Sequence, residues 1–310
     1  MGLLRSALLA GSQSRWLRER AMRREFVRRA VSRFMPGEEV DDALEAAARL
    51  RSSGMGAVLT RLGENVADES EADAVAAHYL DLLSRVAGER GAVEISVKPT
   101  QLGLDLHEGR CGARLLTLAE RAQATGNYVW IDMEQTAYTE ATLRLCRLAR
   151  EGGRPVGVCL QAYLRRTAAD LEALLPAGAG VRLVKGAYAE PPEVAFPAKA
   201  DVDASYASLA GRLLAAAATG GSGRVVFGTH DRRLIDVITD QATRGKLAKG
   251  ACEFHLLYGI QRAEQARLVR EGWPLRVLIS YGAYWFPWYM RRLAERPANI
   301  VFVAKSLLRA

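Results

Sequence analysis

The sequence predicts an α/β fold, a distorted (βα)8 barrel of the TIM type with N-terminal helices, from the repetition of one unit. Short apolar runs alternate with helical stretches eight times along the chain. Continuous apolar runs are typical of parallel strands buried on both faces, with helices covering the sheet. The units occupy about 250 residues, the usual length of such a barrel. A doubly wound open sheet is the alternative, but six strands are more usual there.

The elements follow one another in a regular order. Apolar residues with helical spacing predict a first helix over 38–53. The predicted strands span 57–62, 93–97, 128–131, 156–160, 181–184, 225–227, 252–257 and 275–279. The predicted helices between and after them span 69–87, 110–125, 138–151, 167–175, 198–219, 231–248, 262–272 and 284–295. We therefore divide the chain into an N-terminal helical segment, 1–54, that packs on the barrel, and a catalytic barrel, 55–310.

The positive charge of the chain is concentrated near the N-terminus. The formal net charge is +8, and eight arginines lie between Arg15 and Arg33. Outside that segment the charges nearly balance, so we expect no nucleic-acid partner. The basic segment predicts a helix that packs on the domain, with peripheral contact to an anionic membrane as the alternative.

Cysteine usage and hydropathy predict a cytoplasmic protein. The four cysteines are scattered, without metal or redox spacing, as expected for reduced core residues. No apolar run approaches the length of a membrane span. We expect a cytoplasmic protein, with peripheral attachment to the inner face of the membrane as a further possibility.

Several common catalytic motifs are absent from the sequence. It contains no G-x-G-x-x-G, no G-x-x-x-x-G-K-[ST] and no G-x-S-x-G. No histidine or cysteine spacing suits a metal, so none is expected. The chemistry must come from other residues.

Polar residues collect where the predicted strands end, which is where the active sites of barrels lie. They are Glu64, Lys98, Thr100, Asp132, Glu134, Gln161, Arg182, Lys185, Tyr188, Thr229, His230 and Tyr258. Lys98 is read as a Schiff-base lysine, a carboxylate ligand or a surface lysine. For Asp132, catalysis and a structural salt bridge to Lys98 or an arginine both remain open. Asp231 is a predicted helix N-cap.

The most unusual segment is 281–292, in which six aromatic residues precede Arg291 and Arg292. Guanidinium groups bind carboxylates or phosphates in a bidentate manner, and aromatic walls exclude water from such a contact. The segment predicts an anion pocket with an apolar body. The alternative is a surface cluster in which Glu295 pairs with the arginines.

Several phrases of the sequence match a known family in the right order. They are LGENV at 62–66, SVKPTQLG at 96–103, IDME at 131–134, RLVKGAY at 182–188, KADVD at 199–203, THD at 229–231, EFHLLYG at 253–259 and RRLAE at 291–295. From about residue 25 onward, the chain resembles proline dehydrogenases, the flavin-dependent barrel enzymes that oxidise L-proline to Δ1-pyrroline-5-carboxylate. Its length is similar to that of the small, monofunctional bacterial type.

The resemblance implies a role for each matched residue. Asp132 and Arg182 would be catalytic, Asp132 organising the pocket near Lys98 and Arg182 lying against the flavin near N5. Glu64 would pair with Arg291 and close the site. The positions implied to bind substrate are Lys98, Leu257, Leu278, Trp288, Arg291 and Arg292. The positions implied to bind FAD are Met133, Gln161, Arg182, Val184, Lys185, Gly186, Ala187, Tyr188, Thr229 and His230.

The resemblance also implies a cofactor and partners. FAD would accept a hydride at N5 from a ring carbon that the cations hold in place, and a quinone would reoxidise it. Leu278 and Trp288 stand where the family usually has tyrosines, so 4-hydroxyproline or another cyclic imino acid is an alternative substrate. Two unrelated functions remain as alternatives: a barrel aldolase with Lys98 or Lys185 as the Schiff base, and a binder acting through the N-terminal arginines.

Overall fold

The protein forms a closed barrel of eight parallel strands. The computed structural model describes residues 32–89, 91–221 and 223–285. The strands are β1 (Gly56–Arg61), β2 (Val93–Val97), β3 (Val129–Ile131), β4 (Val156–Gln161), β5 (Gly180–Val184), β6 (Val225–Gly228), β7 (Glu253–Leu257) and β8 (Leu275–Tyr281). Each strand pairs with the next in sequence order, and β8 closes the barrel against β1. The predicted fold class is confirmed.

Helices alternate with the strands. They are α1 (Val40–Arg51), α2 (Glu69–Arg85), α3 (Glu108–Thr125), α4 (Thr139–Arg150), α5 (Thr167–Leu174), α6 (Lys199–Ala218), α7 (Arg232–Arg244) and α8 (Arg262–Arg270). All these boundaries lie within four residues of the predicted ones. The predicted helix over 284–295 lies outside the described residues except for its first two positions. No helix in the described ranges is both long and apolar enough to cross a bilayer.

Local sequence signals determine where these helices begin and end. Asp68 caps α2, because its side chain accepts a hydrogen bond from the Glu71 amide at 2.9 Å. Asp231 caps α7 through the amide of Arg233, as predicted. α3 ends at Gly126, whose φ of 71° is in the left-handed region that favours glycine. These signals place the strand-to-helix loops at one end of the barrel.

The main hydrophobic core lies between the strands and the surrounding helices. Outward-facing strand residues such as Leu59, Ile95 and Ile131 pack into it with the apolar faces of the helices. Helix α1 packs against β1 and β8, with Ala43 and Ala46 fully buried in the same core. The described part of the predicted N-terminal segment thus lies on the barrel, and residues 1–31 are outside the described residues.

The barrel interior has a separate set of side chains, because alternate residues of each strand point inward. On β1 and β8, Val58 stands beside Leu278, and Thr60 beside Ser280, in register. Val58, Trp130 and Val226 form a small apolar layer at mid-height. Charged side chains lie above and below this layer, and the upper group opens into a cavity.

Candidate active site

A cavity of about 960 Å³ opens at the carboxyl ends of the strands. Of the residues predicted to form the site, those lining it are Glu64, Lys98, Asp132, Met133, Gln161, Arg182, Val184, Lys185, Gly186, Ala187, Tyr188, Thr229, His230, Leu257 and Leu278. Trp288, Arg291 and Arg292 lie outside the described residues, so their roles stay predictions. Residues far apart in the sequence thus meet at one opening.

An ion cluster of three residues from β5 and the ends of β2 and β3 lies in the floor of the cavity. Lys98, just after β2, has its Nζ 3.0 Å from Oδ2 of Asp132, just after β3. Arg182, on β5, donates from Nη2 to Oδ1 of Asp132 at 2.5 Å. Lys98, Asp132 and Arg182, here called the upper cluster, carry one net positive charge. Both salt bridges considered for Asp132 are present.

Two residues that sequence reasoning missed complete this cluster. Ser96 donates from Oγ to Asp132 Oδ1 at 2.7 Å and accepts from Arg182 Nη2 at 2.7 Å. Cys159 accepts from Arg182 Nε at 2.8 Å. Each stands two positions before a predicted site residue, Lys98 or Gln161, and therefore on the same face of its strand. That spacing is the signal that could have identified them.

The charged groups of the upper cluster stabilise one another in their ionised forms. Burial alone would lower the pKa of Lys98, but Asp132 together with Tyr188, Glu64 and Glu134 outweighs it and holds that pKa above its ordinary value. Burial would raise the pKa of Asp132, but Lys98 and Arg182 outweigh it and hold that pKa below its ordinary value. Lys98 therefore stays an ammonium at neutral pH, which suits a carboxylate ligand better than a Schiff-base nucleophile.

Two polar atoms beside the upper cluster have no hydrogen-bond partner among the described residues. They are Oε1 of Gln161 and Nη1 of Arg182, on side chains that are 2% and 3% exposed. The amide nitrogen of Gln161 donates to the Met133 carbonyl at 3.2 Å, which fixes the direction of Oε1. Because unpaired buried polar atoms are costly, this donor and this acceptor favour a bound polar partner.

Part of the cavity wall comes from the loops after β5 and β6. Lys185 forms ion pairs with Asp203 and, at 2.8 Å, with Asp231. His230 accepts through Nε2 from the Leu257 amide at 2.9 Å, so the hydrogen of a neutral ring is on Nδ1. Lys185 is therefore paired with two carboxylates and also lines the cavity.

Gly186 makes the turn in this wall possible. Its φ is +113°, and a Cβ there would lie 2.2 Å from the ring of Tyr163. Only glycine fits such a position, because the ring of Tyr163 occupies the space that a side chain would need.

The first residue of the aromatic segment 281–292 does not line the pocket that the sequence predicts. Tyr281 belongs to β8, is 1% exposed, and its hydroxyl lies 2.7 Å from Nε2 of His78 on α2. It therefore faces the outer helix layer, because it follows inward-facing Ser280 in the alternation of the strand. Trp285 is also buried, whereas Tyr284 is 57% exposed and lines the cavity rim.

Comparisons with known proteins agree with this arrangement. A family model described as "Proline dehydrogenase" matches residues 43–305. Proline dehydrogenase 1 of Bacillus subtilis (strain 168) is 35% identical over 307 residues, 99% of this chain and 100% of the relative. The proline dehydrogenase of Deinococcus radiodurans is 33% identical over 287 residues, 90% of each chain.

A solved structure has the same fold. Proline utilization A from Bdellovibrio bacteriovorus, inactivated by N-propargylglycine, superposes with a TM-score of 0.79 at 26% identity. The match covers 86% of this chain and 32% of that one. This chain thus corresponds to about a third of that larger protein.

Proposed function

This chain belongs to the proline dehydrogenase family, and we propose that it oxidises L-proline to Δ1-pyrroline-5-carboxylate with FAD as its cofactor. The observation that carries the proposal is the upper cluster with its two unpaired atoms, Gln161 Oε1 and Arg182 Nη1, in the cavity floor. One net positive charge suits a carboxylate substrate. The unpaired donor and acceptor suit a flat heterocycle.

The residues present fit a flavin ring. The edge of an isoalloxazine ring alternates hydrogen-bond acceptors with one N–H donor, which matches Arg182 Nη1 as donor and Gln161 Oε1 as acceptor. Gly186, Thr229 and His230 line the cavity in which the ring would lie. When bound, FAD supplies the acceptor for the hydride that leaves C5 of proline as the C=N bond forms.

Lys98 holds the substrate in the proposed reaction. Its ammonium binds the proline carboxylate, and Asp132 fixes Nζ at 3.0 Å so that the cation is oriented before substrate arrives. Arg291 and Arg292 are proposed to complete this carboxylate site. Asp132 remains ionised and paired on both oxygens, so it orients charge, and the amine proton of proline passes to solvent.

Visible spectroscopy tests this function. We expect the purified protein to be yellow and its visible band to bleach when L-proline is added without oxygen. A colourless protein that is trapped by borohydride in the presence of a ketone or aldehyde would instead support the aldolase.

A second substrate class is favoured by Leu278. Its apolar side chain lines the cavity and packs with Val58 and Trp130, at a position where related enzymes usually carry a tyrosine. We propose 4-hydroxyproline or another cyclic imino acid as the alternative substrate. Comparing kcat/KM for proline and hydroxyproline decides between them, and a strong preference for proline would exclude the alternative.

We also propose a quinone as the electron acceptor, with membrane contact through the basic N-terminal segment. The support is the cluster of arginines between Arg15 and Arg33, which would attract anionic lipid. Co-sedimentation of the full chain with vesicles containing anionic lipid, compared with neutral vesicles, tests the contact. Equal binding to both would contradict it.

A further inference from the structure

A buried carboxyl group lies behind the upper cluster and outside the proposed chemistry. Glu134 follows Asp132 by two positions and is 2% exposed. Both of its oxygens hold Thr100: the Thr100 amide donates to Oε2 at 3.0 Å, and the Thr100 hydroxyl donates to Oε1 at 2.6 Å. Asp132 holds Lys98, and Glu134 holds Thr100 two residues further on. The ends of β2 and β3 are therefore joined twice.

Thr100 in turn holds the loop after β1. Its Oγ1 accepts from the amide of Asn65 at 3.2 Å, and its carbonyl accepts from the amide of Val66 at 3.4 Å. These amides directly follow Glu64, which lines the cavity. A continuous chain of hydrogen bonds thus runs from Glu134 through Thr100 to the backbone beside Glu64.

This loop has a backbone that needs such support. Gly63 has a φ of +143° and Asn65 a φ of +53°, so Glu64 stands between two residues with left-handed φ values. The Asn65 side chain donates to Asp105 at 2.8 Å, and Gln101 donates to the Arg61 carbonyl at 2.7 Å. The partners therefore come from the segment after β2, which Glu134 holds.

We propose that Glu134 is a positioning residue, which through Thr100 fixes the loop carrying Glu64 and so shapes the substrate end of the cavity. The link to substrate binding rests on the proposed function. An ionised Glu134 satisfies every donor in this network: the Thr100 amide and hydroxyl both donate to its oxygens, while the Thr100 hydroxyl accepts from the Asn65 amide.

The surroundings of Glu134 raise its pKa towards neutral pH. Burial raises the pKa of Glu134 to about 7, against the lowering effect of Thr100 and Lys98. The other titratable groups facing it are Glu64 from the loop after β1, Cys111 from α3 and Tyr138 from the turn before α4. Because the folded pKa is raised, the ionised arrangement is half populated at about pH 7, becomes complete as pH rises well above it, and is lost as pH falls below it.

Amide hydrogen exchange of residues 62–66 in the full chain tests the proposal. Glu134→Gln and Thr100→Val should each speed exchange at Asn65 and Val66 by about tenfold, the effect of losing one hydrogen bond to a charged group. Thr100→Ser keeps the hydroxyl and should exchange like the wild type. In the wild type, protection should fall as pH drops through 7, and Glu134→Gln should lack this step.

Kinetics connect the loop to the substrate. In Glu134→Gln and Thr100→Val, we expect KM for L-proline to rise by about tenfold with little change in kcat, since binding rather than chemistry is affected. The matched control is Thr142→Val, because Thr142 is fully buried in α4 and its Oγ1 has no partner in the described part of the chain. This control should leave both the loop and KM unchanged.

The possible outcomes distinguish a failure of the positioning role from a failure of the proposed function. Wild-type exchange rates in Thr100→Val overturn the positioning role, even if Glu134→Gln fails to fold. Faster exchange with an unchanged KM overturns the link to substrate binding. A wild-type protein without proline activity overturns the proposed function, and the exchange test of the loop still applies.

Discussion

The two ends of the barrel interior each hold buried ion pairs, but they differ in net charge and in whether they line the cavity. At the amino ends of the strands, Glu94, Arg224, Glu253 and Arg276 form what we call the lower cluster. Arg224 bridges Glu94 and Glu253 at 2.6 Å each, and Arg276 Nε lies 2.6 Å from Glu253. Two carboxylates face two guanidinium groups, so the charges cancel within the cluster.

The upper cluster is arranged in the opposite way. It has two cations for one carboxylate, it opens into the cavity, and Arg182 Nη1 and the neighbouring Gln161 Oε1 lack partners in the described residues. Burying a charge is costly unless it is paired, so a closed network such as the lower cluster keeps its cost small. Under the proposed function, bound ligands compensate the surplus charge of the upper cluster and pair its open atoms. We therefore expect the lower cluster to stabilise the barrel and the upper cluster to bind ligands.

The largest effect is expected from Lys98→Met. We expect kcat/KM for L-proline to fall by about 100-fold or more, because a buried charged contact to the carboxylate is lost. Thermal unfolding should change little, since Asp132 keeps its bonds to Arg182 and Ser96. Lys249→Met, at an exposed lysine over the ring of Trp273, is the control and should keep full activity. Normal proline kinetics in Lys98→Met would contradict the assignment.

Removing a charge from the lower cluster should give the complementary result. Arg224→Met leaves Glu94 and Glu253 with only part of their counter-charge, so we expect the free energy of unfolding to fall by about 2–3 kcal/mol. The partial exposure of Arg224 keeps this below the cost at a fully buried site. Urea unfolding measures the loss. kcat/KM should stay within about threefold of the wild type, a small effect for a site remote from binding.

The stabilisation by the lower cluster should depend on pH in a defined direction. Burial would raise the pKa of Glu253, but His255, Arg276 and Arg224 outweigh it and hold that pKa below the ordinary value of 4.5. A depressed folded pKa stabilises the fold above the unfolded value and loses this contribution as pH falls through the folded one. Glu253→Gln should therefore be less stable than wild type at pH 7, and the gap should narrow below about pH 4.5. A gap that widens with acid would refute this.

The smallest effect is expected from Cys159→Ala. Burial raises the pKa of the Cys159 thiol to about 11, so at neutral pH a neutral sulfur accepts from Arg182 Nε. A neutral sulfur is a weak acceptor, and Asp132 still holds the same guanidinium. We expect kcat to fall by only about two- to fivefold, the cost of one weak hydrogen bond. Stopped-flow reduction by proline measures it, and loss of all activity would mean that Cys159 has a larger role.

Much of the barrel could be predicted because its strands are continuous apolar runs and its site residues lie at their ends. Lys98, Asp132, Gln161 and Arg182 were found in this way, since parallel strands bring their carboxyl ends to one edge. Tyr281 was wrongly assigned to the pocket wall. The aromatic residues were grouped by their proximity in the sequence, without regard to the alternation of side chains along β8. One position along β8 changes a side chain from the cavity to the helix layer.

The lower cluster was missed for a different reason. Glu94, Arg224 and Arg276 each occur singly, near the start of a strand, with no motif around them, and Glu253 opens the EFHLLYG phrase without any signal of its partners. Their pairing depends on barrel closure, which brings β2 opposite β7 and β8 through the interior. Glu94 stands four positions before Lys98, on the same inward face. The alternation of side chains along the strand, combined with closure of the barrel, therefore indicates the lower cluster. The partnership of Glu134 with Thr100 also depends on neighbouring strand ends that only the fold defines.

The central claim is that the upper cluster binds the substrate and the lower cluster only supports the barrel. An anaerobic titration of the visible band with L-proline, run side by side on the wild type, Lys98→Met and Arg224→Met, tests it most directly. We predict that the wild type and Arg224→Met reach half of their maximal bleaching rate at similar proline concentrations, whereas Lys98→Met needs about 100-fold more, as expected for a lost carboxylate contact. Equal bleaching of all three proteins, or no response to proline in the wild type, would contradict the account.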